Sequence, residues 1–183
     1  SLYRLADDGT VATIATPRMV LSGAQNLAVG AQALYSVNNL GIVTRLRDGF
    51  MRPFTGGFYN IVDIEADNDG NVYVVDASTR ALGVASSDGY RQVAIGFDIP
   101  FSVTVLSGQS ILVGTSSSVV VSTPSGRWSQ TPWVGLGNSS LERIDDQTAW
   151  ILGYNNARLR PVSIAEPLPV ISVGTVVYQA QRP

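Results

Sequence analysis

Five short stretches of this chain follow one pattern at nearly constant spacing. They are Leu2-Tyr3-Arg4-Leu5, Leu34-Tyr35-Ser36-Val37, Val72-Tyr73-Val74-Val75, Ile111-Leu112-Val113-Gly114 and Ala149-Trp150-Ile151-Leu152. Successive starts lie 32, 38, 39 and 38 residues apart, and counting through the C-terminus back to Leu2 gives a last step of 36. A period in this range marks stacked supersecondary units, none of which buries its apolar face alone. The closing step matches the others, so the units are expected to form a ring and not an open rod.

Within each period the chain reads as short strands. Val11-Ala12-Thr13-Ile14, Ile42-Val43-Thr44, Val119-Val120-Val121 and Ile171-Ser172-Val173 are rich in β-branched residues. Turn signals recur between them: Asp8-Gly9, Asp48-Gly49, Asp69-Gly70, Asp88-Gly89 and Ser125-Gly126. No stretch carries a capped 3.6-residue apolar period, so no long helix is expected. The second period parses as strands over 33–37, 41–46, 50–54 and 61–66, each closed by a turn. Four antiparallel strands per period of about 38 residues make one propeller blade.

The expected fold is therefore all-β: a five-bladed β-propeller of four-stranded antiparallel blades, in a single domain over 1–183. The repeats run over about 2–33, 34–71, 72–110, 111–148 and 149–183. The fourth strand of each period becomes the innermost strand of the next blade. Inner strands are expected near 27–31, 61–66, 102–106, 141–145 and 175–180. The ring is closed by the C-terminal strand, 175–180, which completes the N-terminal blade beside Leu2-Tyr3-Arg4-Leu5 and covers two free edges. Tyr3, Tyr35, Tyr73, Leu112 and Trp150 share one position and are expected to pack between blades.

The segment 61–89 contains Ile61-Val62-Asp63-Ile64-Glu65-Ala66, a turn ending in Asp69-Gly70, Val72-Tyr73-Val74-Val75-Asp76 and a third strand ending at Asp88-Gly89. It resembles an NHL-type propeller repeat. The other four periods match in spacing and strand order, and the Gly-His and Trp-Asp signatures of WD40 blades are missing. The resemblance implies a scaffold that mainly binds proteins, carbohydrate or RNA, with enzymes a minority.

Composition removes several chemistries. The chain has no Cys and no His, and all twelve basic residues are Arg. That excludes disulfides, thiolate nucleophiles, Ser-His catalysis, Schiff bases and a P-loop lysine. A net charge of −2 gives no reason to expect nucleic acid. No apolar run reaches the roughly 18 residues needed to span a membrane as a helix. The chain starts at Ser1 and not Met, as a processed form, an excised domain or a trimmed chain would. A secreted or periplasmic setting is expected.

Two sets of residues stand out as candidate sites. Connections from an outer strand to the next inner strand emerge on one face, together with the first turn of each blade. They carry Asn38, Asn39, Tyr59, Asn60, Arg80, Asp98, Trp133, Asn138, Tyr154 and Asn155. Amides mixed with aromatics suit a protein surface or a glycan. The second set is Glu65, Asp67 and Asp69, which with Gly70 and Asp76 follow the ligand spacing of a calcium loop. An ordinary Asp-Gly hairpin explains the same residues, so no cofactor is expected and Ca2+ is the exception to test. Asp7, Asp8, Glu142, Asp145 and Asp146 are read as lying in or near turns. The leading expectation is a monomeric, non-catalytic binding or assembly module. The alternative is a small hydrolase or lyase that works through carboxylates and a divalent cation.

Overall fold

A strand with apolar residues at every position needs cover on both faces. Val72-Tyr73-Val74-Val75 is such a strand, and its surroundings explain the molecule. A computed structural model describes residues 2–15, 26–31, 33–38, 40–106, 110–123, 125–126, 128–132, 139–153 and 158–163. Among these residues there is no helix, and so none long and apolar enough to cross a membrane.

Seventeen strands among the described residues form five antiparallel sheets in chain order. The first sheet pairs β1 (Leu2–Leu5) with β2 (Val11–Ala15). The second runs β3 (Asn26–Val29), β4 (Leu34–Val37), β5 (Val43–Arg47) and β6 (Phe50–Thr55). The third runs β7 (Ile61–Ala66), β8 (Val72–Asp76), β9 (Ala81–Ser86) and β10 (Gly89–Ile95). The fourth runs β11 (Pro100–Val105), β12 (Ile111–Thr115), β13 (Ser118–Ser122) and β14 (Trp128–Pro132). The fifth joins β15 (Ser139–Arg143), β16 (Thr148–Gly153) and β17 (Arg158–Ser163). Every pairing is a sequential hairpin, which the short turns dictate. At Asp48-Gly49 both residues take positive φ, 50° and 78°, the backbone of a two-residue hairpin that matches strand twist.

From the second sheet onward the first strand of each sheet neighbours the first strand of the next: β3 beside β7, β7 beside β11, β11 beside β15. These are the inner strands expected from the repeat, and β7 matches its expected bounds residue for residue. The expected closing strand, 175–180, lies outside the described residues.

Among the described residues, three cores fill the spaces between the second and fifth sheets. Tyr35, Val37, Val43, Ile64, Val72 and Val74 lie between the second and third sheets. Tyr73, Val75, Leu82, Val103, Ile111 and Val113 lie between the third and fourth. Leu112, Val119, Val121, Leu141 and Ile151 lie between the fourth and fifth. Odd and even residues of β8 and β12 thus serve different cores, which is why both strands are apolar throughout. Tyr35, Tyr73 and Leu112 are buried at the repeating position as expected, but Tyr3 and Trp150 are corrections at 59% and 38% exposed. Trp150 sits on the last described sheet, where no further described sheet covers it, and Tyr3 sits on the two-stranded first sheet, whose strands pack chiefly on each other.

Candidate functional site

One end of the stack gathers the connections 38–42, 56–60, 77–80 and 96–99. Their order follows from sequential antiparallel strands, which return every second connection to the same end. Asp76, at the end of β8, organises this end. Its side chain is buried, at 4% exposure. Oδ2 accepts hydrogen bonds from the amides of Tyr59 (2.9 Å) and Asn60 (3.4 Å). Oδ1 accepts from those of Ser78 (2.8 Å) and Thr79 (3.1 Å). Burial opposes the charge, but the four amides outweigh it and hold the carboxyl below the usual aspartate range.

The neighbouring loops are pinned in the same way. Asn38 Oδ1 accepts from the amides of Leu40 and Ile42, both at 3.0 Å. The Arg80 carbonyl accepts from Gly96 (3.1 Å) and Phe97 (3.3 Å). Asp98 accepts from the Ser116 hydroxyl and the Ile99 amide; the Ser116 and Ser117 hydroxyls, then that amide and the Arg80 charge, lower its pKa. Gly41 has φ +68°, and a Cβ there would collide with the Phe58 carbonyl oxygen, so the 38–42 turn and the 56–60 loop lie in direct contact. On this fixed frame Tyr59 is 84% exposed.

The structure therefore brings Asn38, Tyr59, Asn60, Arg80 and Asp98 to one end. Asn39, Trp133, Asn138, Tyr154 and Asn155 lie outside the described residues. The sequence reading passed over Asp76 as the frame of this end, treating it as the close of a strand and as the last position of a calcium loop. A usable signal was present: an Asp that closes a strand just before Ser-Thr is placed to accept from the amides that follow.

The opposite end holds the carboxylates considered for calcium. Asp67 Oδ1 accepts from the amides of Asp69 and Asn71, both at 2.9 Å. Its Oδ2 accepts from Asn71 Nδ2 (2.8 Å) and the Tyr73 hydroxyl (3.1 Å). Asp67 is thus the acceptor that builds the β7–β8 turn, and burial together with Asp67 pushes the Tyr73 hydroxyl pKa up. Asp69 lines a cleft of ≈ 410 Å³ with Asp67, Tyr73, Val84, Asp88 and Arg91. Glu65 projects from β7, one residue before its end. Among the described residues no three acidic side chains are grouped to hold a metal ion.

A polar cluster that sequence reasoning did not identify lies along the inner strands. Asp63 Oδ2 accepts from the Val103 amide of β11 at 2.9 Å, and Oδ1 accepts from its neighbour Ile64 at 2.9 Å. Asn26 of β3 donates to the Val62 carbonyl at 2.6 Å and to Asp63 at 3.4 Å. Asp63 therefore ties three consecutive inner strands together. Burial raises its pKa against these hydrogen bonds. Two residues on, Glu65 is pushed up to about 7 by burial, then by the charges of Asp63 and Glu142. Arg143 acts in the opposite direction. Glu142 lies within β15, opposite Trp150 and two residues before the turn that follows. The period-two spacing of Asp63 and Glu65 placed both on one side of a strand. Which strands would face them was not readable.

No protein-family model matches the chain, and no curated protein sequence is similar to it. Solved structures share its fold. A streptogramin B lyase aligns with a TM-score of 0.61 at 11% identity, over 79% of this chain and 55% of that one. A catalytically inactive virginiamycin B lyase from Staphylococcus aureus, solved with quinupristin, aligns at 0.63 and 14% identity, over 90% of this chain and 63% of that one. YCF48 bound to D1 peptide aligns at 0.59 and 12% identity, over 80% of this chain and 52% of that one. These are β-propeller proteins, and the described sheets have the same all-β propeller architecture. The chain spans between half and two thirds of the length of each.

Proposed function

We propose that residues 1–183 form one five-bladed propeller domain, closed by its last strand, that binds a protein surface or a glycan through the end carrying Tyr59. The observation that carries this reading is an exposed aromatic on a loop whose amides are held by a buried carboxylate. An aromatic side chain offers large contact area at small conformational cost, and a loop fixed beforehand loses little freedom on binding. Asn60, Arg80 and Asp98 lie at the same end and offer directional polar groups, as a specific contact needs. One structural neighbour, YCF48, was solved with a peptide, which is in keeping with a propeller in a binding role. The repeat at 61–89 stays the part of the chain closest in form to NHL-type blades.

A second reading rests on Glu65. A carboxyl with a pKa near 7, beside Asp63 and Glu142, has the protonation balance of a general acid or base. That favours a hydrolase or lyase acting at the centre of the propeller.

Screening the intact chain against a displayed peptide library and a glycan array tests both. The binding reading expects ligands whose affinity falls at least tenfold in Tyr59→Ala and stays within twofold in Glu65→Gln. Ligands that ignore Tyr59 and depend on Glu65 would overturn it in favour of the second reading.

A further inference from the structure

The outer hairpin of the second sheet breaks a rule that cross-strand pairs normally keep. In the β5–β6 register Arg45 stands directly opposite Arg52, and Arg47 opposite Phe50. Side chains so placed have Cβ atoms about 5 Å apart, and like charges in that position destabilise the sheet. A nearby carboxylate could offset the repulsion, but Asp48, the one acid in the hairpin, is taken up by Arg47, Nε to Oδ2 at 3.5 Å. Among the described residues neither Arg45 nor Arg52 forms an ion pair. Arg45 is instead held in place by an aromatic ring: its guanidinium lies 5.3 Å from the centre of Phe54, which packs 5.2 Å from Tyr35 of the core. Beside the two guanidinium groups, Phe50 is 67% exposed. Arg45, Arg47, Asp48, Phe50 and Arg52 together line a cleft of ≈ 200 Å³.

We propose that this cleft binds a phosphate or sulfate monoester, with Arg45 and Arg52 on the oxyanion and Phe50 against the group that carries it. The opposed cations then serve as two forks on one anion. Guanidinium presents paired N–H donors that match oxyanion geometry, and phosphate and sulfate share that geometry. The bound anion supplies the negative charge that the sheet itself does not place between the two arginines. An exposed phenylalanine adds a flat apolar surface for a sugar or aryl ring. Strain that lowers stability without a structural gain is what a functional position shows. The hairpin hangs at the end opposite Tyr59, so this site stands apart from the proposed binding face.

The test is thermal unfolding of the intact chain at low ionic strength. Inorganic phosphate, inorganic sulfate, 4-nitrophenyl phosphate and 4-nitrophenyl sulfate are each compared with sodium chloride at equal ionic strength. Either oxyanion class is expected to raise the melting temperature beyond the chloride control, and the class that does so identifies the ligand. Arg52→Gln is expected to melt higher than the parent without anion and to lose at least tenfold in anion affinity by calorimetric titration. Phe50→Ala is expected to keep the response to the inorganic ion and lose the extra response to the aryl ester. Tyr59→Ala is expected to leave all of these unchanged. Equal shifts with chloride and oxyanions, or an Arg52→Gln protein that still responds, would overturn the proposal.

Discussion

Asp76 is the residue whose loss should be felt most widely for its size. Its carboxylate accepts four backbone amides from two loops at 4% exposure. Asp76→Ala strips the partners from all four. A buried donor left without a partner costs about 1–3 kcal/mol, and loops that loosen recover part of this by meeting water. The expected net loss is about 3 kcal/mol, or about 6–12 °C in melting temperature for a domain of this length. Asp76→Asn keeps the shape but offers one acceptor oxygen, so one loop faces an NH2 group; about 2 kcal/mol should go. Folding lowers this pKa. The carboxylate's contribution is therefore present at neutral pH and lost as pH falls below the ordinary aspartate value of about 4. The gap between parent and Asp76→Asn should accordingly narrow from pH 7 to pH 3. Circular dichroism melts across that range measure it. A parent-like melt for both variants at pH 7 would refute the anchoring role and, with it, the fixed frame under Tyr59.

Three further outcomes follow from the same structure. Glu65→Gln should stabilise the fold at pH 8 by about 1–2 kcal/mol, a figure reduced for partial solvation, and flatten the stability profile between pH 4.5 and about 7. The sign follows from the raised pKa: the fold prefers the protonated acid, so the parent loses stability as pH rises through that window, and the opposite slope in denaturant titrations would contradict it. Ile111→Ala, fully buried between the third and fourth sheets, should cost about 2–5 kcal/mol by urea unfolding. Gly41→Ala should cost more than 1 kcal/mol, because its φ of +68° and the Phe58 carbonyl both oppose a side chain; a neutral melt would show the two loops to be apart.

The repeat made the architecture legible because strand order and turn chemistry are local. Ile61–Ala66 and the turn at Asp48-Gly49 could be placed from neighbours within ten residues. Burial at the repeating position was legible only where the following sheet packs against it, so Tyr73 followed the pattern and Tyr3 did not. The candidate site was partly visible. Tyr59, Asn60 and Arg80 fell where loop counting put them, because antiparallel order alone fixes which end a loop reaches. The inner-strand cluster was not visible. Asp63 meets Asn26 and Val103 across 37 and 40 residues, and such contacts depend on how separate sheets come together. Asp67 was ambiguous for a related reason: one Asp-rich turn serves a cation or its own backbone equally well by spacing, and only the structure shows its Oδ1 accepting from the amides of Asp69 and Asn71.

Ring closure is the claim on which the domain account turns, and the absence of native cysteine makes it directly measurable. Tyr3→Cys can be combined in turn with Val176→Cys, Val177→Cys and Tyr178→Cys, so that both facings of the strand are sampled around its middle. Adjacent strands bring paired Cα atoms within about 6 Å, inside the range a disulfide needs. A closed propeller predicts that one of the three pairs oxidises within the chain and raises the melting temperature. Three pairs that stay as free thiols under oxidant, or that link only between chains, would contradict it.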